Sequence, residues 1–173
     1  MALLSIVKAP DPILKKKCYR VDTVDDDIRR LMDDMLETMY AAPGIGLAAP
    51  QVAVHRRVIV IDVSPTGERD PLCLANPELL DVSDESNLHE EGCLSFPDQY
   101  AEVVRPERIR VRFLDYHNEI REIEAGGLLA TCIQHEMDHL DGILFVDHIS
   151  MLKRSMILRK MTKQKKAGAP AGA

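Results

Sequence analysis

Between Thr23 and Gly44 the apolar residues Ile28, Leu31, Met32, Met35, Leu36 and Met39 recur at steps of three and four. That spacing places them on one stripe of a helix. Thr23 or one of the aspartates after it can cap the start, an acidic first turn suits the helix dipole, and Pro43–Gly44 ends it. "RRVIVIDVS" (56–64) and "IRVRFLD" (109–115) read as strands, the second with the alternation of a half-buried one. "LCLANPELL" (72–80) and "EIREIEA" (119–125) read as shorter strands. Residues 127–141 predict a second helix with Leu128, Leu129, Ile133, Met137 and Leu140 as its apolar positions and Gly142 as its stop. "SMLKRSMILRKMTKQKK" (150–166) predicts a last amphipathic helix, with Ser150 as N-cap and Met151, Leu152, Ile157, Leu158 and Met161 along one side. Helices and strands mix without steady alternation. The expectation is an α+β fold, with mixed or antiparallel strands packed around the helix at 127–141 and a helix toward each end.

At 173 residues, with no internal repeat, the chain predicts a single domain over 1–166. The closing residues 167–173 are small and lack apolar anchors, so they are expected to be disordered. Nothing approaches the ~20 apolar residues of a membrane span. The N-terminal "MALLSIVKAPDP" has no basic stretch ahead of its short apolar run, and a cytoplasmic location is expected. In a reducing compartment the four cysteines (Cys18, Cys73, Cys93, Cys132) are expected to be buried, metal-bound or catalytic rather than paired. Residues 151–173 carry seven basic side chains and no acid, whereas the first 150 carry 15 basic against 28 acidic. Such a tail suits an anionic partner, nucleic acid included, but on charge alone a solvated helix face is the favoured reading.

"QHEMDHLDG" (134–142) changes the picture from fold to chemistry. His135 and His139 lie one turn apart, so both imidazoles can point at one metal, and Glu136 can reach a water held there. Two histidines on a solvated helix are the plain alternative. A metal site needs a third ligand. An H-E-x-x-H-x-x-G-x-x-H pattern is excluded because Phe145 stands at its last position, and no glutamate follows His139. His148, Cys132 and Cys93 remain. Cys132 shares the face of His135 but lies seven residues from His139, roughly 10 Å along the axis at about 1.5 Å per residue, so it reads as a pocket residue. Cys93, in "EEGCLSFP", belongs to no helical or strand period. Its thiolate suits zinc or ferrous iron, and one Cys with two His would leave a coordination position open. Spacing does not settle the choice. In "GIGLAAPQ" (44–51), Gly44 and Gly46 allow a ligand close to the backbone, and the Gln51 amide can donate to a developing oxyanion. A simple helix-to-strand turn explains the same residues.

Taken in order, "GIGLAAPQ", "EGCLS" and "QHEMDH" resemble the three signature motifs of the peptide deformylases, over about residues 5–165. The resemblance implies a metallohydrolase that removes the formyl group from N-formylmethionine at the start of nascent polypeptides. It implies Cys93, His135 and His139 as metal ligands, with Fe²⁺ the expected ion in the cell and Zn²⁺, Ni²⁺ or Co²⁺ possible in preparations. It implies attack by metal-bound water on the formyl carbon, Glu136 as general base and then acid, and the Gln51 side chain with the Leu94 N–H as oxyanion donors. Ile45, Leu128, Leu129 and Cys132 are expected around the methionine side chain, with the backbone of Ile45 and Gly46 pairing to the peptide. Glu91 is expected to form an ion pair with Arg105 behind the metal ligands. Three positions depart from the common pattern: His89 and Tyr100 beside the cleft, and Ala53 where glycine is usual. They put subsite preferences in doubt. The basic last helix resembles that of the subgroup that docks on the ribosome. A monomer without membrane contact is expected. A zinc endopeptidase, a ribosome-binding module with a vestigial site and a Cys93 redox sensor are the rival readings.

Overall fold

The computed structural model describes residues 2–168. The first apolar stripe becomes helix α1 (Asp26–Ala41). Asp25 caps it by accepting the Ile28 N–H at 3.0 Å, and Asp26 and Asp27 occupy the first turn. Next come β1 (Gly46–Ala48), a 3-10 turn at Ala49–Val52 and β2 (Val58–Ile61). β3 (Leu72–Val82), β4 (Ser86–Cys93), β5 (Phe96–Pro106), β6 (Arg108–Leu114) and β7 (Ile120–Gly126) precede α2 (Gly127–Leu140). A 3-10 turn at Phe145–His148 then leads to α3 (Met151–Gly168). The fold is α+β. Five strands form an antiparallel sheet in the order β1-β2-β3-β6-β7, and β4 pairs with β5 in a separate antiparallel hairpin.

β2 explains why its sequence does not alternate. Val58 and Val60 pack with Met32, Met35 and Met39 of α1, whereas Ile59 and Ile61 pack with Ala130, Ile133 and Leu140 of α2. A strand covered on both faces is apolar throughout. β6 has one wet face, and it alternates: Ile109, Val111 and Phe113 are buried between exposed arginines. β3 accommodates Pro77 at an irregularity, where Asn76 takes φ 49° and the register shifts between Ala75 and Glu78. The buried Asn76 amide bonds both the N–H and the C=O of Val21, which ties the N-terminal segment to the sheet.

Two expectations change. The β4–β5 hairpin was not legible as strands, because its inward positions include Glu91 and Arg105 while Leu88 and Val104 face outward. In α3, Ile157 and Met161 are buried against Phe96 and Phe145 and Leu158 is half-buried, but Met151 and Leu152 are exposed. At 3.6 residues per turn Leu152 lies roughly 140° around the helix from Ile157, so one stripe cannot hold both. Ser150 does cap α3, accepting the Lys153 N–H at 3.3 Å. The helix runs to Gly168; residues 169–173, the rest of the segment expected to be disordered, lie outside the described residues. Among the described residues no helix is long and apolar enough to cross a membrane.

Candidate metal centre

α2 ends in a Schellman arrangement: Gly142 N–H donates to His139 C=O at 3.1 Å and Ile143 N–H to Asp138 C=O at 2.9 Å. Gly142 takes φ 73°, and an added Cβ would come within 2.3 Å of the Lys15 carbonyl oxygen. This glycine therefore fixes the end of the helix that carries both histidines. Cys93 reaches them from the end of β4, where the register shifts between Gly92 and Cys93. The donor atoms of Cys93, His135 and His139 lie within 4.8 Å of one another, with Cys93 Sγ 3.4 Å from His139 Nε2. His148 lies outside this group; its Nε2 donates to Asp138 Oδ2 at 2.8 Å.

The surroundings hold each group in one orientation. Glu91 Oε1 accepts from His135 Nδ1 at 2.8 Å, which leaves Nε2 for the cluster. Arg105 grips Glu91 with two bonds of 2.7 and 3.0 Å, so the expected pair is present and buried. Gln51 Oε1 accepts the Ala48 N–H at 2.9 Å, which fixes its NH₂ toward Ser95 Oγ at 3.0 Å and Cys93 Sγ at 3.4 Å. Glu136 packs on Gly46, where a Cβ would come within 2.9 Å of its Oε1.

Burial pushes the Glu136 carboxyl up to about 7, against the opposing pull of His135. Burial takes His139 well below the usual imidazole range, and the charge of His135 adds to this. Burial acts the same way on His135, but bonds to Cys93 and Glu91 outweigh it and raise this imidazole well above its usual value. Glu91 is also opposed by burial, yet its bonds from His135 and Arg105 hold it down at about 2.

Among the described residues, Glu136 Oε2 and His139 Nδ1 are buried without a hydrogen-bond partner. A buried carboxylate oxygen left unbonded is costly, so a group from outside the chain belongs beside it. One thiolate and two imidazoles suit a divalent Zn²⁺ or Fe²⁺.

The residues about 3–155 match the family model described as polypeptide deformylase. The chain belongs to the polypeptide deformylase family. It is 57% identical over 173 residues to a peptide deformylase of Methylocella silvestris, covering 98% of this chain and 88% of the relative. It is 53% identical to the Rhizobium meliloti enzyme, covering 99% of both. The peptide deformylase of Ehrlichia chaffeensis superposes with a TM-score of 0.92 at 42% identity, covering 96% of this chain and 98% of that one. A further structure of that enzyme, in complex with actinonin, also gives 0.92, at 44% identity.

In this deformylase a cleft of about 530 Å³ opens beside Cys93 and His135. Gly44, Ile45, Gly46, Leu128 and Cys132 line it together with Leu94, Glu136 and Glu91, and His89 and Tyr100 stand on it as well. Leu129 does not line it: this side chain packs against the α2–sheet core. Two residues not expected from the sequence stand behind the site: Ser95, fully buried beside Gln51, and Asp138, which accepts from Arg105 at 2.9 Å. Nothing in "CLSFP" marks the serine. Asp138 had a signal: it stands one turn after His135 on the helix.

Proposed function

We propose that this deformylase acts through the Cys93–His135–His139 centre, with Glu136 transferring the proton and Gln51 and the Leu94 N–H holding the developing charge. The observation that carries the reading is the convergence of three metal donors within 4.8 Å, with the Gln51 NH₂ 3.4 Å from one of them. A divalent metal held by Cys93 Sγ, His135 Nε2 and His139 Nε2 would acidify a water and polarise the formyl carbonyl. Fe²⁺ is the ion proposed for the cell, with Zn²⁺, Ni²⁺ or Co²⁺ able to take the same donors. Glu136 takes the water's proton and returns it to the leaving amine; a carboxyl near 7 suits both directions of transfer at neutral pH. The Gln51 amide donates to the formyl oxygen as negative charge develops, and its fixed Oε1–Ala48 bond means no reorientation is needed.

The methionine side chain enters the cleft between Ile45, Leu128 and Cys132, and the peptide backbone pairs along Gly44–Gly46 as an added strand. The reading extends to a monomer working in the cytoplasm, with α3 against the ribosome. The exposed Lys153, Arg159, Lys160, Lys163, Lys165 and Lys166 support an anionic partner there.

Formyl-Met-Ala-Ser and Met-Ala-Ser offered side by side test the reaction. Formate should be released from the first, with both peptides otherwise intact. Cleavage of internal bonds in the unformylated peptide would make the protein an endopeptidase.

A further inference from the structure

The metal donors come from two separate elements. Cys93 is on the β4–β5 hairpin, and His135 and His139 are on α2. The hairpin shares no strand pairing with the main sheet. Something else must fix how far the thiolate stands from the imidazoles.

The side chains between these elements form a closed ring. His135 Nδ1 bonds Glu91 on β4 at 2.8 Å, and Glu91 takes two bonds from Arg105 on β5. Arg105 Nη1 then returns to α2, donating to Asp138 Oδ2 at 2.9 Å, one turn beyond His135. Two residues of one helical turn are thereby bridged through the hairpin that carries Cys93. All of the ring but Asp138 is nearly inaccessible: Arg105 and Glu91 are 6% and 4% exposed at the side chain, and Asp138 is 23% exposed. The ring has one outward extension. His148, on the turn between α2 and α3, donates its Nε2 to the same Asp138 Oδ2 at 2.8 Å. It is 35% exposed and touches neither the metal donors nor the cleft.

We infer that His148 is a positioning residue of the metal centre, acting through Asp138, Arg105 and Glu91 on His135. The inference rests on the metal reading above. Asp138 Oδ2 serves two donors, Arg105 and His148, so His148 limits where the carboxylate can sit. The carboxylate limits the Arg105 guanidinium, and the guanidinium limits Glu91. Glu91 holds the tautomer and ring angle of a metal ligand, which is how groups behind a ligand tune affinity. The same bond couples the start of α3 to the centre, because His148 lies two residues before the Ser150 cap.

Co²⁺ is the probe, with affinity measured by chelator competition and the thiolate–cobalt absorption band recorded. Wild type should show the band, and Cys93→Ser should lose it. An absent band in wild type, or unchanged Co²⁺ affinity in Cys93→Ser, overturns the metal reading and the inference with it. With those controls passed, His148→Ala should weaken Co²⁺ affinity about tenfold and shift the band, the lower end for such partners. His148→Gln, which keeps a donor for Asp138, should restore most of the loss. Arg154→Ala is the structural control: it cuts the Arg154–Asp147 bond (3.1 Å) of the same segment without touching the ring, and should leave affinity within twofold. Unchanged affinity in His148→Ala, or an equal loss in Arg154→Ala, would overturn the role of His148.

Discussion

Gly46 and Glu136 show how little room the site leaves for a side chain. Any Cβ on Gly46 meets Glu136 Oε1 at 2.9 Å and Cγ at 3.0 Å, so the carboxylate would have to move by several tenths of an ångström. Proton transfer depends steeply on such placement. Gly46→Ala is therefore expected to lower kcat by about 100-fold while metal content stays at wild-type level. Steady-state deformylation with metal analysis on the same samples checks this; an unchanged kcat would mean that Glu136 need not stay where it is. The glycine itself was readable in "GIGLAAPQ" as a close approach, but the sequence pointed to the ligand as the reason. The structure adds a second reason, the Glu136 carboxyl packed against it. Ser95 was not readable at all, since its value comes only from meeting the Gln51 amide across the fold.

Helix ends and turns carry two opposite expectations. Gly142 at φ 73° abuts the Lys15 carbonyl, whereas Ala53 occupies a left-handed position, φ 62°, at the end of the Ala49–Val52 turn. Gly142→Ala should destabilise by about 2–3 kcal/mol through strain and clash. Ala53→Gly should stabilise by up to about 1 kcal/mol, because glycine adopts this conformation freely. Urea unfolding of both variants decides; equal effects of one sign would refute the local argument. The contrast also marks what patterns reveal. α1, α2, β2, β6 and most of β3 and β7 were legible because each turns an apolar face, or two, toward a core. β4 and β5 were opaque because they bury an ion pair where a pattern reader looks for aliphatic residues. That same inversion is what makes the hairpin useful, since the buried Glu91 and Arg105 fix the orientation of the His135 ring. Met151 and Leu152 misled in the other direction, as apolar residues that the structure leaves in water.

On the scale of the molecule, α1 and the main sheet are joined by a polar contact as well as by the methionine core. Tyr40 at the end of α1 donates to Asp62 Oδ2 at 2.5 Å, just beyond β2, and the Ser64 and Asp70 N–H groups bond the same carboxylate. Burial opposes the charge, but these bonds prevail and hold Asp62 below the ordinary carboxylate range. A carboxyl lowered in the folded state stabilises above its unfolded value, about 3.9, and that contribution fades as pH falls through the folded value. Tyr40→Phe should cost about 1–2 kcal/mol at neutral pH, and the gap should close below about pH 4. Urea midpoints of both proteins between pH 7 and 2.5 test it; a gap independent of pH would assign the loss to packing. The family and its three motifs were legible in the order of residues along the chain, and so was the Glu91–Arg105 pair, while the bonds that join that pair to His135 and Asp138 existed only in three dimensions. Glu136→Gln keeps the shape of the side chain and removes its proton chemistry. With one metal ion per chain verified in both proteins, kcat should fall by about 10³-fold or more. A metal-loaded Glu136→Gln enzyme that turns over at near the wild-type rate would contradict proton transfer by Glu136.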